Sequence, residues 1–493
     1  MITTLRSLPA QRVFIAALLL FFVGVSIQYS AKAAKGRSAI NRWAPQIQQL
    51  ETGDDIHKQF NYPNPPIMAV LLWPISELVT IHPLLGALVW FYIKVAMAAY
   101  CLLAVFRLVE TPEKPFPAWA KLLTVVLSIR PILGDLTHGN VNIFILFLVV
   151  ASLSNFSKGR DLRAGLFLAL AIACKVTPAL FAAYFVWKRA GRVLAGTGIG
   201  LVAFFFVVPA IFLGWDTNLR ALTSWIEVMI LPFITGNVIT SEHNNQSLPG
   251  VVTRLLTAAP SFSTYINGQY VPLRYDNIAS LSPTMAGLIT KAAMVMFGLL
   301  VVLTCRTPTR VKGMPAIVTR RGWRLAAEYS LICIGMLIFS ERTWKHHCVT
   351  LLLPFAVLCY GFSSVDWSRG TRRIVGMCLV LATVLMYTTS TGLYGENPGK
   401  TSDVIESASL LIGPAGIAAA GQAGVFSSSW GKMAQAYGAY LWAFGTLIIG
   451  LTVQMLRTRT SAIPTVPEWK LPAYSLLYPD RRELEVVENQ ARR

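Results

Sequence analysis

Charge is scarce in this 493-residue chain: Asp, Glu, Lys and Arg make up 13% of it, about half the share found in soluble domains. That scarcity excludes the two or three soluble domains that the length alone would allow. Acidic charge is scarcer still, with 23 Asp and Glu against 43 Lys and Arg and a formal net charge of +20. In a soluble protein such a balance points to nucleic acid. Here the basic residues cluster in short turns between apolar runs. Chain orientation and anionic lipid headgroups account for them, and no nucleic-acid partner is expected. The seven cysteines (Cys101, Cys174, Cys305, Cys333, Cys348, Cys359 and Cys378) fall in or beside apolar runs. None has a CxxC spacing, so neither a disulfide framework nor a zinc site is indicated. A P-loop, a dinucleotide fingerprint, HExxH and GxSxG are all missing, which leaves ATP-driven transport and serine hydrolysis without support. No internal repeat is evident.

What is present is hydrophobic. Apolar residues reach 54%, the mean hydropathy is +0.55, and runs of about 20 residues, the length a bilayer demands of a helix, recur from end to end. The fold class expected is an all-α polytopic membrane protein. Placing basic turns inside gives about twelve spans with both termini cytoplasmic. They begin with a retained helix at 13–30 and end with one at 434–455. Between them lie three expected exterior loops, 32–83, 215–282 and 391–433. The first of these holds a short surface helix at 38–50 and an interfacial segment after Pro66. Residues 456–493 form a polar cytoplasmic tail. The run 164–187 is basic on both sides and holds Lys175-Val-Thr-Pro178 at its centre. Two short helices meeting there keep both basic clusters inside, provided that the break is buried or lines a cavity.

This topology places all six histidines, and Asp54, Asp55, Asp135, Glu242 and Glu341, toward the exterior. Candidate chemistry gathers there. Asp54 and Asp55 sit in the first loop, beside Glu51. Low-dielectric walls raise a carboxylate's pKa and suit it to take a proton from a sugar hydroxyl; the alternative is a solvated Gly-Asp-Asp turn. Asp135, His138, Asn140 and Asn142 lie in an expected loop next to Arg130, as substrate contacts or as ion pairs of the bundle. Lys175 binds a phosphate or pairs with another helix. Glu341-Arg342-Thr-Trp-Lys345-His346-His347 opens a helix. Adjacent histidines point about 100° apart, which suits a metal poorly, whereas Arg, Lys and His donors at a helix start suit a phosphate; headgroup contact is the alternative. Asn245-Gln246-Ser247 suits sugar hydroxyls or any turn.

Taken in order, Tyr62-Pro-Asn-Pro-Pro66, Gly139-Asn140-Val-Asn142, the run ending Lys175-Val-Thr-Pro178, Asn245-Gln246-Ser247 and Trp344-Lys-His346-His347 resemble glycosyltransferase family 87. These are polytopic GT-C enzymes that include polyprenol-phosphate-mannose-dependent α-1,2-mannosyltransferases. The resemblance runs from about 12 to 455 and implies one GT-C transmembrane domain over 1–455. It implies inverting transfer of a sugar, mannose first, from a polyprenyl-phosphate donor to a lipid-linked or glycan acceptor hydroxyl in the plasma membrane. An exterior aspartate would be the base: Asp55 first, Asp54 second, Glu51 third. His346 or His347 with Lys175 would hold the lipid phosphate. A metal is not obligatory, because cationic side chains hold the leaving monophosphate; a divalent ion is compatible. Many relatives carry an acidic residue nearer the end of the first helix, where this chain reads Lys35-Gly-Arg37-Ser-Ala-Ile-Asn-Arg42. A transporter or flippase, or a sugar-polymer ligase or polymerase, would share much of this architecture.

Overall fold

The computed structural model describes residues 8–457, apart from 51, 112, 236–237, 267–268, 312–313, 391–414 and 417–428. Glu51, the third choice of base, most of loop 391–433 and the tail from 458 therefore lie outside the described residues. The regular structure of the described residues is helical apart from one antiparallel hairpin, Phe262–Ile266 with Gln269–Arg274, and an isolated bridge between Thr111 and Lys114.

The first half of the chain runs α1 (Leu8–Ala33), α2 (Ala39–Gln48), α3 (Ile56–Phe60), α4 (Pro66–Ile81), α5 (Pro83–Val109), α6 (Ala118–His138), α7 (Asn142–Ser157), α8 (Asp161–Cys174) and α9 (Ala179–Trp187). Among the described residues, six helices are long and apolar enough to cross a membrane. They are α5, Gly191–Leu213, Pro283–Thr304, Lys345–Ser364, Arg369–Tyr387 and Ala439–Arg457. The chain is an all-α polytopic membrane protein.

Burial sorts these helices into a centre and a rim. Trp323–Ile338 is buried at every position but Arg324, and α7 and Leu352–Gly361 are nearly as enclosed. Pro283–Thr304 and Arg369–Tyr387 expose rows of large apolar side chains, among them Leu288, Val295 and Leu299 on the first and Met377, Val380 and Val384 on the second. Those spacings mark one helix face, and in a membrane such a face meets lipid. At the contact of α8 with Gly191–Leu213, Gly165 and Gly196 bring the backbones together. A Cβ on Gly165 would stand 2.2 Å from the Val193 carbonyl, and one on Gly196 2.4 Å from that of Leu162. Membrane helices without a hydrophobic drive to associate pack through such small residues.

The broken pair expected at 164–187 is present. Asp161 at the start of α8 pairs with Arg320. Lys188, just past α9, reaches Glu328 at 2.7 Å and the Thr307 carbonyl. Both ends of the pair thus attach to the same 305–328 stretch, so α8 and α9 run out and back.

Two stretches differ from expectation. Residues 134–142 are not a loop: α6 continues to His138 and stops at Gly139, whose φ of +74° favours glycine. A Cβ there would also meet the Ser38 and Tyr29 oxygens at 2.9 and 3.0 Å. Arg130 is not part of the Asp135 cluster; it donates to the Met386 carbonyl and lies over the Tyr387 ring. Residues 215–282 are not an open loop either. They fold into Trp215–Trp225, the π-helical turn Ile226–Ile230, Leu231–Ile234, Leu248–Leu256 and the hairpin, and the described connecting pieces stay irregular.

Candidate active site

The site begins at the break between α8 and α9. Lys175 leaves the helix in extended backbone (φ −158°), and Pro178, which has no N–H to offer a helix, precedes α9. Lys175 Nζ donates to Asn142 Oδ1 at 2.7 Å. Asn142 Nδ2 donates to Asp135 Oδ1 at 2.9 Å, and the Ile143 amide donates to Oδ2 at 3.2 Å. Lys94 Nζ lies 3.6 Å from that carboxylate and donates to the Asp135 carbonyl at 2.7 Å. Lys94 and Asp135 are completely buried. The carboxylate therefore decides which way the Asn142 amide faces: nitrogen toward Asp135, oxygen toward Lys175. Asp135 acts on the site through Asn142 and does not face the cavity itself.

A cavity of about 1060 Å³ opens beside Lys175. Its polar end is formed by Arg42, His138, Asn140, Lys175, Glu341, Arg342 and His347. Most of the remaining lining is apolar, including Leu180, Ala183, Tyr184 and Trp187 along α9 and Met294, Phe297, Gly298, Val301 and Val302 of the Pro283–Thr304 helix. The nine residues of α9 span about 13 Å. His138 stacks on His346 with ring centroids 4.2 Å apart and planes at 13°, and His346 Nε2 lies 3.3 Å from Asn140 Nδ2. The amide nitrogen is the donor there, so Nε2 accepts. His347 Nδ1 is 3.3 Å from the Trp344 amide and 3.2 Å from the Arg342 carbonyl; one ring nitrogen serves only one of them at a time.

The first loop packs against this cavity through Phe60, Asn61 and the run Pro63–Pro65. Asp55 and Asp54 do not line it. Asp55 caps α3: its Oδ1 accepts from the His57 and Lys58 amides at 3.1 and 3.0 Å and from Ser224 Oγ at 2.7 Å. Burial pushes the Asp55 carboxyl up, but these donors outweigh it and hold the pKa below the usual carboxylate value, against the raised value expected of a base. Asp54 accepts from Thr52 Oγ1 at 2.6 Å. His57 is buried with Nδ1 2.9 Å from the Tyr62 carbonyl. Burial holds its pKa below the ordinary value, although that carbonyl and Asp55 pull it upward.

Asn245 and Gln246 are also away from the cavity, fully buried. Asn245 Oδ1 accepts from the Thr343 amide at 2.9 Å, and its Nδ2 donates to the carbonyls of Thr240 and Glu341 at 2.8 and 3.0 Å. Gln246 donates to the Gln435 carbonyl at 2.8 Å and accepts from the Tyr440 amide at 3.2 Å. Their polarity is spent stapling 240–247 to 341–343 and to 435–440. Lys345 donates to the Thr389 carbonyl at 2.6 Å and does not line the cavity.

Of the residues singled out from sequence, the cavity thus gathers His138, Asn140, Lys175 and His347. His346 stands just behind them. The cavity also takes in Glu341 and Arg342 of the charged stretch 341–347, and the polar residues it adds are Arg42, Gln46, Asn61, Asn64, Thr177 and Ser340. The sequence signal for Glu341 and Arg342 was the charged stretch they open; Arg42 carried none beyond its place on an amphipathic helix. Among the described residues no group of three or more His, Cys, Asp or Glu is arranged to hold a metal ion.

The chain is 25% identical over 285 residues to a polyprenol-phosphate-mannose-dependent alpha-(1-2)-phosphatidylinositol mannoside mannosyltransferase of Mycobacterium tuberculosis, covering 57% of this chain and 55% of the relative. It is 24% identical over 282 residues to the protein of the same name from Mycolicibacterium smegmatis, covering 54% of each. The chain spans about half the length of these curated relatives. No solved structure matches. The sequence signature described as glycosyltransferase family 87 matches residues 62–319, which takes in Asn140, Asn142, the Lys175 break and Asn245. With just over half of its length inside that signature, the chain belongs to glycosyltransferase family 87.

Proposed function

We propose that this protein is an integral-membrane glycosyltransferase of GT-C architecture that moves mannose from a polyprenyl-phosphate donor to a hydroxyl of a lipid-linked or glycan acceptor, with inversion at the sugar. The observation that carries this reading is the amphiphilic cavity. Its polar end presents Arg42, Lys175 and Arg342, and its other wall is an apolar face about 13 Å long. A polyprenyl phosphate has the same division: a phosphate for the cations and an isoprenoid chain for the apolar wall. The names of the relatives supply the sugar and the class of donor, and their acceptor is a mannosylated phosphatidylinositol.

In the transfer, Lys175 and Arg42 hold the phosphate and offset the charge it gains as the sugar departs. Those fixed cations take the part that a divalent ion plays elsewhere. His138, Asn140 and His347 orient the sugar and phosphate. The reading places the cavity mouth on the exterior face of the plasma membrane, with both termini cytoplasmic.

Incubating the purified protein with radiolabelled polyprenyl-phosphate mannose and a lipid extract tests it. The expected products are a labelled glycolipid and free polyprenyl phosphate in equal amounts. Label that stays on the donor across polyprenyl-phosphate hexoses and acceptor extracts overturns it.

A further inference from the structure

Glycosyl transfer needs a group that takes the acceptor's proton, and the cavity restricts which carboxylate that is. Asp54 and Asp55 stand outside it, and Asp55 caps α3. Among the described residues that line the cavity, Glu341 is the single carboxylate. We infer that Glu341 is the general base that deprotonates the acceptor hydroxyl; the inference rests on the glycosyltransferase reading.

Glu341 is held from two sides. Its carbonyl accepts from Asn245 Nδ2 at 3.0 Å and Ser247 Oγ at 3.3 Å. Its Oε1 accepts from Thr240 Oγ1 at 2.9 Å, and its Oε2 lies 3.5 Å from Arg342 Nε. Arg342 donates in turn to the same Thr240 oxygen at 2.7 Å. The carboxylate is thus fixed in direction, and its side chain remains 30% exposed at the cavity. The buried polarity of Asn245 and Ser247 gains a purpose: it sets the backbone from which Glu341 projects. The preceding residue, Ser340, shares a smaller adjoining cavity with Lys175 and His347. The residue before the base and the phosphate-holding lysine therefore line one small cavity.

The step balances. The acceptor O–H gives its proton to a Glu341 oxygen, and the acceptor oxygen forms a bond to the anomeric carbon. The bond from that carbon to the donor phosphate oxygen breaks, and its electron pair leaves with the polyprenyl phosphate. One carboxylate charge is lost and one phosphate charge is gained, next to Lys175 and Arg42.

The experiment uses the purified full-length protein and four variants: Glu341→Gln, Glu341→Ala, Asp54→Asn and Asp55→Asn. Two readouts are transfer and binding of polyprenyl phosphate, the sugar-free product. Glu341→Gln is expected to lower kcat by roughly 10²–10⁴-fold and to bind polyprenyl phosphate as the wild type does. Formate is expected to restore part of the transfer to Glu341→Ala, which a merely structural loss would not allow. Asp54→Asn and Asp55→Asn are expected to retain transfer within about tenfold, since each loses less than 1.4 kcal/mol of transition-state stabilisation. Glu341→Gln retaining transfer overturns the inference, and so does an Asp54→Asn or Asp55→Asn variant that binds polyprenyl phosphate yet is inactive. A wild-type protein that binds polyprenyl phosphate but transfers no sugar overturns the glycosyltransferase reading itself, and is distinguishable because it precedes any comparison of variants.

Discussion

Ser224 donates its hydroxyl to Asp55 Oδ1 at 2.7 Å, across 169 residues of sequence. Its neighbour Trp225 donates Nε1 to the Pro63 carbonyl at 3.3 Å. Two adjacent residues of one helix therefore pin both ends of the segment that supplies Phe60 and Asn61 to the cavity wall. This makes Asp55 a positioning residue. Asp55→Ala removes the helix cap and the Ser224 bond and is expected to destabilise by about 1–2 kcal/mol. It should raise the donor KM more than it lowers kcat. Asp55→Asn keeps an acceptor oxygen for the same donors and should cost less. Because the folded pKa of Asp55 lies below the ordinary value, its ionised-state contribution is complete above about pH 4 and is lost only as pH falls through that lower folded value. Thermal unfolding of both variants against wild type at pH 7 and pH 3.5 checks this: the gap should narrow at the lower pH.

His57 predicts a second pH effect of opposite origin. It is buried and neutral in the fold, with its pKa held below the ordinary value. The unfolded chain therefore binds a proton near pH 6.5 that the folded chain does not. Stability is unaffected above that pH and falls as pH drops from it toward the folded value, by at most about 1.4 kcal/mol per pH unit. His57→Asn, which offers its amide N–H to the Tyr62 carbonyl, should flatten the apparent Tm between pH 7 and pH 5. It should not abolish the slope, because His243 is also held low by burial. An unchanged slope would show that His57 is already solvated.

Lys94, Asp135, Asn142 and Lys175 form a chain in which only the last member faces the cavity. The two ends should fail differently. Lys175→Gln removes a cation from the cavity and should weaken polyprenyl-phosphate binding about 10–150-fold, the range for a hydrogen bond to a charged group, with thermal stability nearly unchanged. Asp135→Asn leaves the fully buried Lys94 ammonium without its carboxylate and should destabilise by about 3–5 kcal/mol. It also frees Asn142 to turn its amide nitrogen toward Lys175, so the surviving folded protein should bind donor poorly. Binding and unfolding measured on both variants separate a ligand from its support.

How much of this was legible in the sequence depends on where each partner lies. The break at Lys175–Pro178 reads directly, because proline withdraws an N–H and basic residues flank both sides. The Asp135 cluster reads as polar and important, yet its loop placement was wrong, since a helix ended by Gly139 carries it. The carboxylates were the hardest. Asp55 and Glu341 look alike in sequence, each next to charged neighbours. What separates them is the fold of 215–282, which supplies Ser224 to one and Thr240 to the other. Those partners are 169 and 101 residues away, and a periodic pattern carries no information at such separations. Asn245 and Gln246 mislead for a related reason: amides that satisfy backbone groups and amides that meet a sugar are the same letters.

The apolar wall of the cavity makes a prediction that the polar residues cannot. Gly298 lines it, and a Cβ added there meets no atom within 4 Å. A side chain at this position therefore enters the cavity without displacing the helix that carries it. Gly298→Trp would place an indole where the isoprenoid chain is proposed to lie, some distance from Lys175 and Glu341. A donor with a long polyprenyl chain should lose at least tenfold in kcat/KM, about 1.4 kcal/mol. A donor carrying one or two isoprene units, whose tail ends before the obstruction, should be used as well as by the wild type. The contrast between the two donors is what matters, because a general disturbance of the bundle lowers both together. Equal loss would mark such a disturbance, and no loss with either donor would place the lipid tail elsewhere, along the exposed outer faces of the helices. A loss confined to the long donor would show that the cavity opposite α9 is where the chain runs, and that its length limits which polyprenols this enzyme accepts.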